Sequence, residues 1–183
     1  MNKGFWNKSA ASRVDEKRAA LFQETLLPHL DAAYNLARWL TGNDQDAQDV
    51  VQETYLRALN AFHTFQHGRE GRPWLLKIVR NTCYTWLREN RRPGLTALES
   101  NPQDISSSDP DPEIVLLREA DAKMVRQALA GLPLEYRETL VLRELEGLPY
   151  KEIAELLDVP LGTVMSRLAR GRKELWRLLS ERK

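Results

Sequence analysis

The chain has 183 residues and a net charge of +1, with 42% hydrophobic and 29% charged residues. This composition is typical of a globular protein, and the length allows one domain or two small ones. The single cysteine, Cys83, excludes an internal disulfide and favours a reducing compartment. No apolar run approaches the roughly 18 residues that span a bilayer, and the polar N-terminus lacks a signal-peptide core. We therefore expect a cytoplasmic protein without direct membrane insertion.

The first predicted domain is helical and covers residues 18–92. It follows an N-terminal extension, residues 1–17, whose pattern is uninformative and compatible with disorder. One helix is predicted over about residues 18–41 and ends at a Thr-Gly-Asn break. A second begins with Asn43 or Asp44 as N-cap, because Asn and Asp side chains accept the free amide hydrogens of a first helical turn.

The last helix of this domain is predicted to follow a loop that contains two glycines. The loop runs from His63 to Arg72, and Pro73 suits the first turn of a helix that reaches about Arg92. Residues 69–92 carry seven basic and two acidic residues. This helix is therefore the first of two basic segments.

Residues 93–112 are predicted to form a flexible, acidic linker. They contain four prolines and four serines, and residues 93–117 hold five acidic residues and no basic one. Such a composition leaves little to pack. A second domain follows over residues 113–183, again with helical rather than strand-like spacing. The expected fold class is all-α, with two small helical domains joined by this linker.

The second domain is predicted to end in a helix-turn-helix. A short amphipathic helix, Tyr150–Leu157, is followed by a tight connection, Asp158–Gly162, and a basic helix over residues 163–179. The second helix of such a motif lies in the major groove of DNA. Residues 161–183 carry seven basic and two acidic residues. Two basic segments separated by an acidic tether indicate two contacts on one polyanion.

The helix over residues 163–179 has an apolar side and a polar side. The polar side presents hydroxyls near its N-terminus and basic groups further along; Arg can read guanine through two hydrogen bonds, and Lys and Ser can hold phosphates. A solvated basic face is the simpler alternative. The residues expected to contact DNA are Thr163, Ser166, Arg167, Arg170, Lys173 and Arg177.

The basic helix of the first domain interleaves aromatic and basic side chains. This combination suits DNA with exposed bases, because rings stack on bases while cations hold the backbone. The preceding loop could form a pocket for an unstacked base, although ordinary packing of Phe62 and Phe65 against the core is equally compatible with the pattern. The expected DNA contacts are Phe62, His63, Phe65, Gln66, Trp74, Lys77, Arg80, Asn81, Tyr84, Arg88 and Arg91.

Other sites are not indicated. His63 and His67 are four residues apart, but no cysteine or third histidine nearby completes a metal site. The sequence has no glycine-rich phosphate loop, nucleophile elbow or paired catalytic carboxylates. We expect no cofactor, no metal, no small-molecule substrate and no enzymatic activity.

Three stretches together resemble the extracytoplasmic-function (ECF) group of bacterial RNA polymerase sigma factors, in the sigma-70 family: DAQDVVQETYLRALNAF (46–62), PWLLKIVRNTCYTWLRENRR (73–92) and LPLEYRETLVLRELEGLPYKEIAELLDVPLGTVMSRLARGRKEL (132–175). The resemblance implies that the first domain is sigma region 2 and the second is sigma region 4. It further implies binding to core RNA polymerase, melting and reading of the minus-ten element by the first domain, and reading of the minus-thirty-five element by the second. The linker would thread toward the RNA exit path, and an anti-sigma factor would control the protein.

The resemblance also assigns a docking surface. The helix over residues 46–62 would bind the clamp helices of the polymerase, and a leucine within its acidic face would be the apolar anchor with a polar rim. The residues expected in this surface are Asp46, Asp49, Gln52, Glu53 and Leu56. Thr85 stands where the family often has Asp, so promoter preference can differ there.

Two other classes of protein remain to be weighed. A conventional helix-turn-helix repressor or activator explains residues 132–182 but neither the acidic docking helix nor the second basic face. Such a protein binds duplex DNA tightly by itself, whereas a sigma factor needs core polymerase. An enzyme with a DNA-binding appendage lacks a catalytic constellation in this sequence.

Overall fold

The computed structural model describes residues 5–66, 68, 70–90 and 122–181, with the backbone alone for residues 5–15. All regular structure in these ranges is helical, so the all-α expectation is confirmed; the predicted linker, residues 93–112, lies outside them. No helix in the described ranges has the length and hydropathy of a membrane span. The helices are α1 (Phe5–Leu26), α2 (Leu30–Thr41), α3 (Asp44–Ala61), α4 (Gly71–Glu89), α5 (residues 122–130), α6 (Leu134–Leu140), α7 (Tyr150–Leu157) and α8 (Leu161–Ser180).

The prediction of one helix over residues 18–41 was wrong, because the structure has two. The 3-10 turn Leu27–His29 separates α1 from α2, and Pro28 lies at its start. Proline has no amide hydrogen to donate and its ring clashes with the preceding turn, so an α-helical ladder stops there. Helix α1 also begins at Phe5, well before the predicted start near residue 18.

The first core is formed by α2, α3 and α4, which pack against one another. Leu36 of α2, Val50 of α3 and Leu75 of α4 are at most 1% exposed. Tyr55 donates a hydrogen bond to the Leu26 carbonyl at 2.9 Å and thereby ties α3 to the end of α1. A continuous apolar interior thus fixes which face of α3 and of α4 points outward.

Of the two predicted N-caps of α3, Asn43 is the observed one, and Asp44 is the first residue of the helix. Asn43 has an extended backbone, and its Oδ1 accepts the amide hydrogen of Asp46 at 2.8 Å. The Asn43 side-chain amide also donates to the Asp46 carboxylate. The Asp46 amide hydrogen and the Asp46 carboxylate are therefore both hydrogen-bonded by the Asn43 side chain. The Asp46 charge also lies beside the positive end of the helix dipole.

The second domain contains the predicted helix-turn-helix in α7 and α8. Asp158 ends α7 in the left-handed region at φ 56°, and α8 begins at Leu161, directly after Pro160. Helix α6 continues into one π-helical turn, Val141–Leu145. Helix α8 packs on both α6 and α7, so the basic helix is held along its inner side.

The two helical units also contact each other, which the sequence did not indicate. Helix α2 packs on α6, and α4 packs on α7. Arg137 of α6 donates to the Trp39 carbonyl of α2 at 3.2 Å. The basic face of α4 is therefore close to the second domain.

The start of α4 depends on a glycine. A Cβ atom at Gly71 would lie 2.6 Å from the Thr25 carbonyl oxygen and 2.7 Å from Thr25 Cγ2. We expect Gly71→Ala to lower the free energy of unfolding by about 1–3 kcal/mol, the usual cost of overpacking. Gly162→Ala is the matched control, since no atom lies within 4 Å of its Cβ position apart from its chain neighbours and the nearby backbone of its own helix. Denaturant unfolding measures the free energy of unfolding of both variants. Equal values would contradict the close packing of Gly71 against Thr25.

Candidate nucleic-acid and protein interfaces

Helix α8 presents an open polar face. Ser166, Arg170 and Lys173 are exposed, while Val164 and Leu168 on the opposite side are at most 1% exposed. Thr163, at the start of this face, is half-buried. Two cations and a hydroxyl thus share the exposed side of α8, as the helical spacing predicts, and their contact with DNA stays a prediction.

Arg167 lies differently from its predicted neighbours. Its side chain is 20% exposed and is directed at α6, where Nη2 is 3.7 Å from a Glu135 oxygen and Nη1 is 3.5 Å from Glu138 Oε1. Nη1 is buried and has no hydrogen-bond partner. In this arrangement Arg167 is therefore not part of the open face, although the sequence placed it among the DNA contacts.

Arg177 is exposed but already paired. It forms salt bridges with Glu174 at 2.6 Å and with Glu181 at 2.5 Å. Hydrogen bonds to these two carboxylates raise the pKa of Arg177. A phosphate at this end of α8 must compete with both carboxylates.

Part of the basic face of α4 is covered by the second domain. Arg80 Nε and Tyr84 OH both donate to Glu138 Oε2 at 2.9 Å, and Glu138 is 1% exposed. The Arg80 guanidinium also lies 4.5 Å from the centre of the Tyr84 ring. Burial, reinforced by the Glu138 charge, raises the pKa of Tyr84 to about 12. The phenol therefore stays protonated and acts as a hydrogen-bond donor to Glu138. Lys77 Nζ donates to the Glu155 carbonyl at 3.2 Å.

The rest of the predicted α4 face remains open. Asn81 and Arg88 are exposed, and Trp74 is half-buried. Arg91 lies outside the described residues. The structure therefore divides the predicted face into a covered part, centred on Arg80 and Tyr84, and an exposed part that contains Asn81.

The aromatic loop residues are part of the core. Phe62 is 3% and Phe65 is 7% exposed; their rings are stacked with centres 5.5 Å apart. Phe22 of α1 and Trp74 of α4 meet the Phe62 ring edge-to-face. Ordinary packing, one of the two alternatives left open by the sequence, is the observed arrangement. His63 and Gln66 remain exposed at the loop surface.

A cleft of 480 Å³ separates this loop from the second domain. Its first wall includes Phe65, Trp74 and Lys77, and its second wall includes Glu152 and Glu155 of α7. Burial, together with the nearby charges of Glu70 and Glu155, raises the pKa of Glu152. Carboxylates on one side make the cleft unfavourable for nucleic acid while the domains are in contact.

The outer face of α3 is open and carries an apolar group among polar ones. Leu56 is 60% exposed, and Asp49, Gln52 and Glu53 around it are also exposed. Glu53 pairs with Arg57 of the next turn at 2.7 Å, whereas Asp46 is engaged by the N-cap. The exposure of Leu56 and of its polar neighbours agrees with the helical spacing, and their role in docking stays a prediction.

Leu59 is a residue that the sequence analysis missed. It is 44% exposed, and it lies three residues after Leu56, which places it on the same side of α3. The helical spacing already contained this signal. Among the described residues, no group of three or more histidine, cysteine or acidic side chains could hold a metal ion.

Comparisons with known proteins agree with this organisation. Residues 26–93 match the family described as Sigma-70 region 2, and residues 122–175 match the one described as Sigma-70, region 4. The ECF RNA polymerase sigma factor SigE of Mycolicibacterium smegmatis is 36% identical over 162 residues, which are 88% of this chain but only 62% of that protein. The chain thus spans less than two thirds of that relative.

Two further relatives extend the comparison. The ECF RNA polymerase sigma-E factor of Salmonella typhimurium is 34% identical over 137 residues, which are 71% of this chain and 72% of that protein. Among solved structures, the sigma factor RpoE of Bartonella quintana, in complex with the anti-sigma factor NepR, is similar with a TM-score of 0.68 at 26% identity. That similarity covers 87% of this chain and 96% of that one. The order of regions 2 and 4, and an identity above 30% over most of the Salmonella protein, show that this chain belongs to the ECF group of sigma-70 family factors.

Proposed function

We propose that this chain binds core RNA polymerase in the cytoplasm and directs it to promoters, without chemistry of its own. In this proposal residues 18–92 are the region 2 domain, residues 113–183 are the region 4 domain, and residues 93–112 join them. The first domain docks on the polymerase clamp helices and reads the melted minus-ten element. The second domain reads the minus-thirty-five element as duplex DNA.

The observation that carries this proposal is the exposed leucine on α3. Leu56 is the centre of a polar and acidic face on a domain separate from the helix-turn-helix. An exposed apolar anchor with a polar rim is typical of a protein interface. A polymerase subunit requires such a surface, whereas DNA binding by a helix-turn-helix repressor does not account for it.

Two DNA surfaces complete the proposal. The open face of α8 offers Ser166, Arg170 and Lys173 to a major groove. Asn81 and Arg88 of α4 are exposed and lie beside the covered Arg80 and Tyr84. Control by an anti-sigma factor is supported by the similarity to the Bartonella sigma factor, which was solved in complex with one.

The docking surface can be tested with Leu56→Arg. Losing a central anchor typically costs about 2 kcal/mol or more, which is roughly 30-fold in affinity. We expect this loss in competition binding to core polymerase, with unchanged helicity. Leu27→Arg is the matched control, because Leu27 is also exposed, at 49%, but lies in the turn between α1 and α2. Wild-type affinity for Leu56→Arg would contradict the assignment of α3.

The minus-ten surface can be tested with Asn81→Ala. An amide paired with a base edge is worth about 1–3 kcal/mol, and the bases are accessible only after melting, so open-complex formation should fall more than closed-complex formation. Asn81 is preferable to Tyr84, whose removal also breaks the contact with Glu138. Permanganate footprinting measures the open complex, and gel mobility at low temperature measures the closed one. Equal effects on both steps would exclude this role for Asn81.

The minus-thirty-five surface can be tested by comparing Arg170→Ala with Lys173→Ala. Arg170 is one turn beyond Ser166 and can reach base edges, so its loss should relax preference at one or two base pairs and cost about 1–3 kcal/mol at the preferred site. Lys173 is better placed for phosphate, so its loss should weaken all sequences alike and reduce the salt slope by roughly one unit. A promoter library transcribed at two salt concentrations separates the two effects. Wild-type behaviour of both variants would show that α8 does not enter the groove.

A further inference from the structure

The junction between the domains contains a buried carboxylate that cations approach from two sides. Glu138 of α6 accepts hydrogen bonds from Arg80 and Tyr84 of the first domain, both at 2.9 Å on Oε2. From within the second domain, Arg167 Nη1 lies 3.5 Å from Oε1 but makes no hydrogen bond. One carboxylate thus touches helix α4 and helix α8 at the same time.

We propose that Glu138 is a latch with two settings. In the closed setting, which the structure describes, it holds Arg80 and Tyr84 against the second domain and away from DNA. When the domains separate, Glu138 accepts a hydrogen bond from Arg167 instead and fixes that side chain beside the open face of α8. The inference rests on the proposed assignment of α4 and α8 to promoter DNA.

The charge balance at Glu138 makes such a transfer feasible. Removing one partner of a buried ion pair is strongly destabilising when no other cation lies near the charge that remains. Arg167 already lies in ion-pair range, so separation of the domains leaves Glu138 with a cation beside it. Nη1 of Arg167, in turn, gains the hydrogen-bond partner that it lacks in the closed setting. Glu138 therefore has a cationic hydrogen-bond donor in both settings. The donor comes from α4 in the closed setting and from α8 when the domains separate.

Two further contacts between the domains also involve cations of α4. Arg72 of α4 forms a salt bridge with Glu146, whose side chain is 4% exposed. Lys77 donates to the Glu155 carbonyl. An acidic side chain and a carbonyl of the second domain thus bind two further cations of α4. The second domain acts as an internal competitor of DNA for this face.

The closed setting can be tested on the free full-length chain by small-angle X-ray scattering. We expect Glu138→Gln to increase the radius of gyration measurably, because the charge that holds Arg80 is lost while side-chain size is kept. Glu144→Gln is the matched control. Glu144 is in the adjoining π-helical turn and pairs with Arg172 of the same domain, so the variant changes net charge equally without touching the junction.

An expanded Glu138→Gln chain could have separated domains or could be partly unfolded, and the two cases must be distinguished. Circular dichroism reports its helicity, and the double variant Arg80→Met, Tyr84→Phe removes the same contact from the more exposed side and leaves Glu138 in place. Expansion of this double variant with retained helicity supports the latch. If it and a folded Glu138→Gln chain are both as compact as wild type, the latch is overturned.

Binding of a fluorescent single-stranded minus-ten oligonucleotide, without polymerase, tests the consequence for DNA. If the closed form holds about 90% of the population, apparent affinity is reduced about tenfold. Glu138→Gln should therefore raise the apparent affinity for the oligonucleotide about tenfold, and Glu144→Gln should leave it unchanged. Expansion without a gain in affinity would leave the latch standing and would overturn the minus-ten role of α4. A gain in affinity without an increase in the radius of gyration would overturn the latch.

The transfer to Arg167 can be measured separately. A double-mutant cycle of Glu138→Gln and Arg167→Met, read by thermal unfolding, gives the coupling between the two residues. We expect this coupling to be larger in the Arg80→Met, Tyr84→Phe background than in the wild-type chain, because Glu138 is then free to bind Arg167. Equal or smaller coupling in that background would overturn the second setting.

Discussion

The position of the two domains depends on how one buried carboxylate is neutralised. Glu138 is 1% exposed, and a carboxylate at that depth is tolerated only with cationic or hydrogen-bonding partners around it. Its hydrogen-bond donors come from α4, on the other domain. The contact between α4 and the second domain therefore supplies the hydrogen bonds that this buried group needs. Arg80 and Tyr84 are covered because they are those donors.

Helical periodicity accounts for what the sequence could predict. The inward sides of α3 and α8 and the exposure of Leu56 follow from spacing alone, since a helix repeats its faces every 3.6 residues. The N-cap at Asn43 was equally readable from residue type. The break at Pro28 was also present in the sequence, and the single helix predicted over residues 18–41 ignored it. These features are local, so a few neighbouring residues suffice to specify them.

Features that join distant residues could not be predicted in this way. Glu138 pairs with Arg80, 58 residues earlier and beyond the predicted linker. No local pattern distinguishes such a glutamate from a solvated one. The Phe62 ring packs against Phe22 of α1, a helix whose full extent the sequence did not reveal, and the Phe65 ring stacks on Phe62. Arg167 and Arg170 differ by three positions on one helix, yet only tertiary contacts decide which of them turns toward α6.

The closed arrangement covers the surfaces of this protein unequally. Leu56 on α3 and Arg170 on α8 remain exposed, while Arg80 and Tyr84 on α4 are held by Glu138. Under the proposed functions of these surfaces, docking on polymerase and approach to duplex DNA require no opening, whereas reading of single-stranded DNA does. Because both domains belong to one chain, a modest contact is enough to keep them together. Polymerase binding to α3 can therefore come first, and the domains need to separate only where melted DNA is available to replace Glu138.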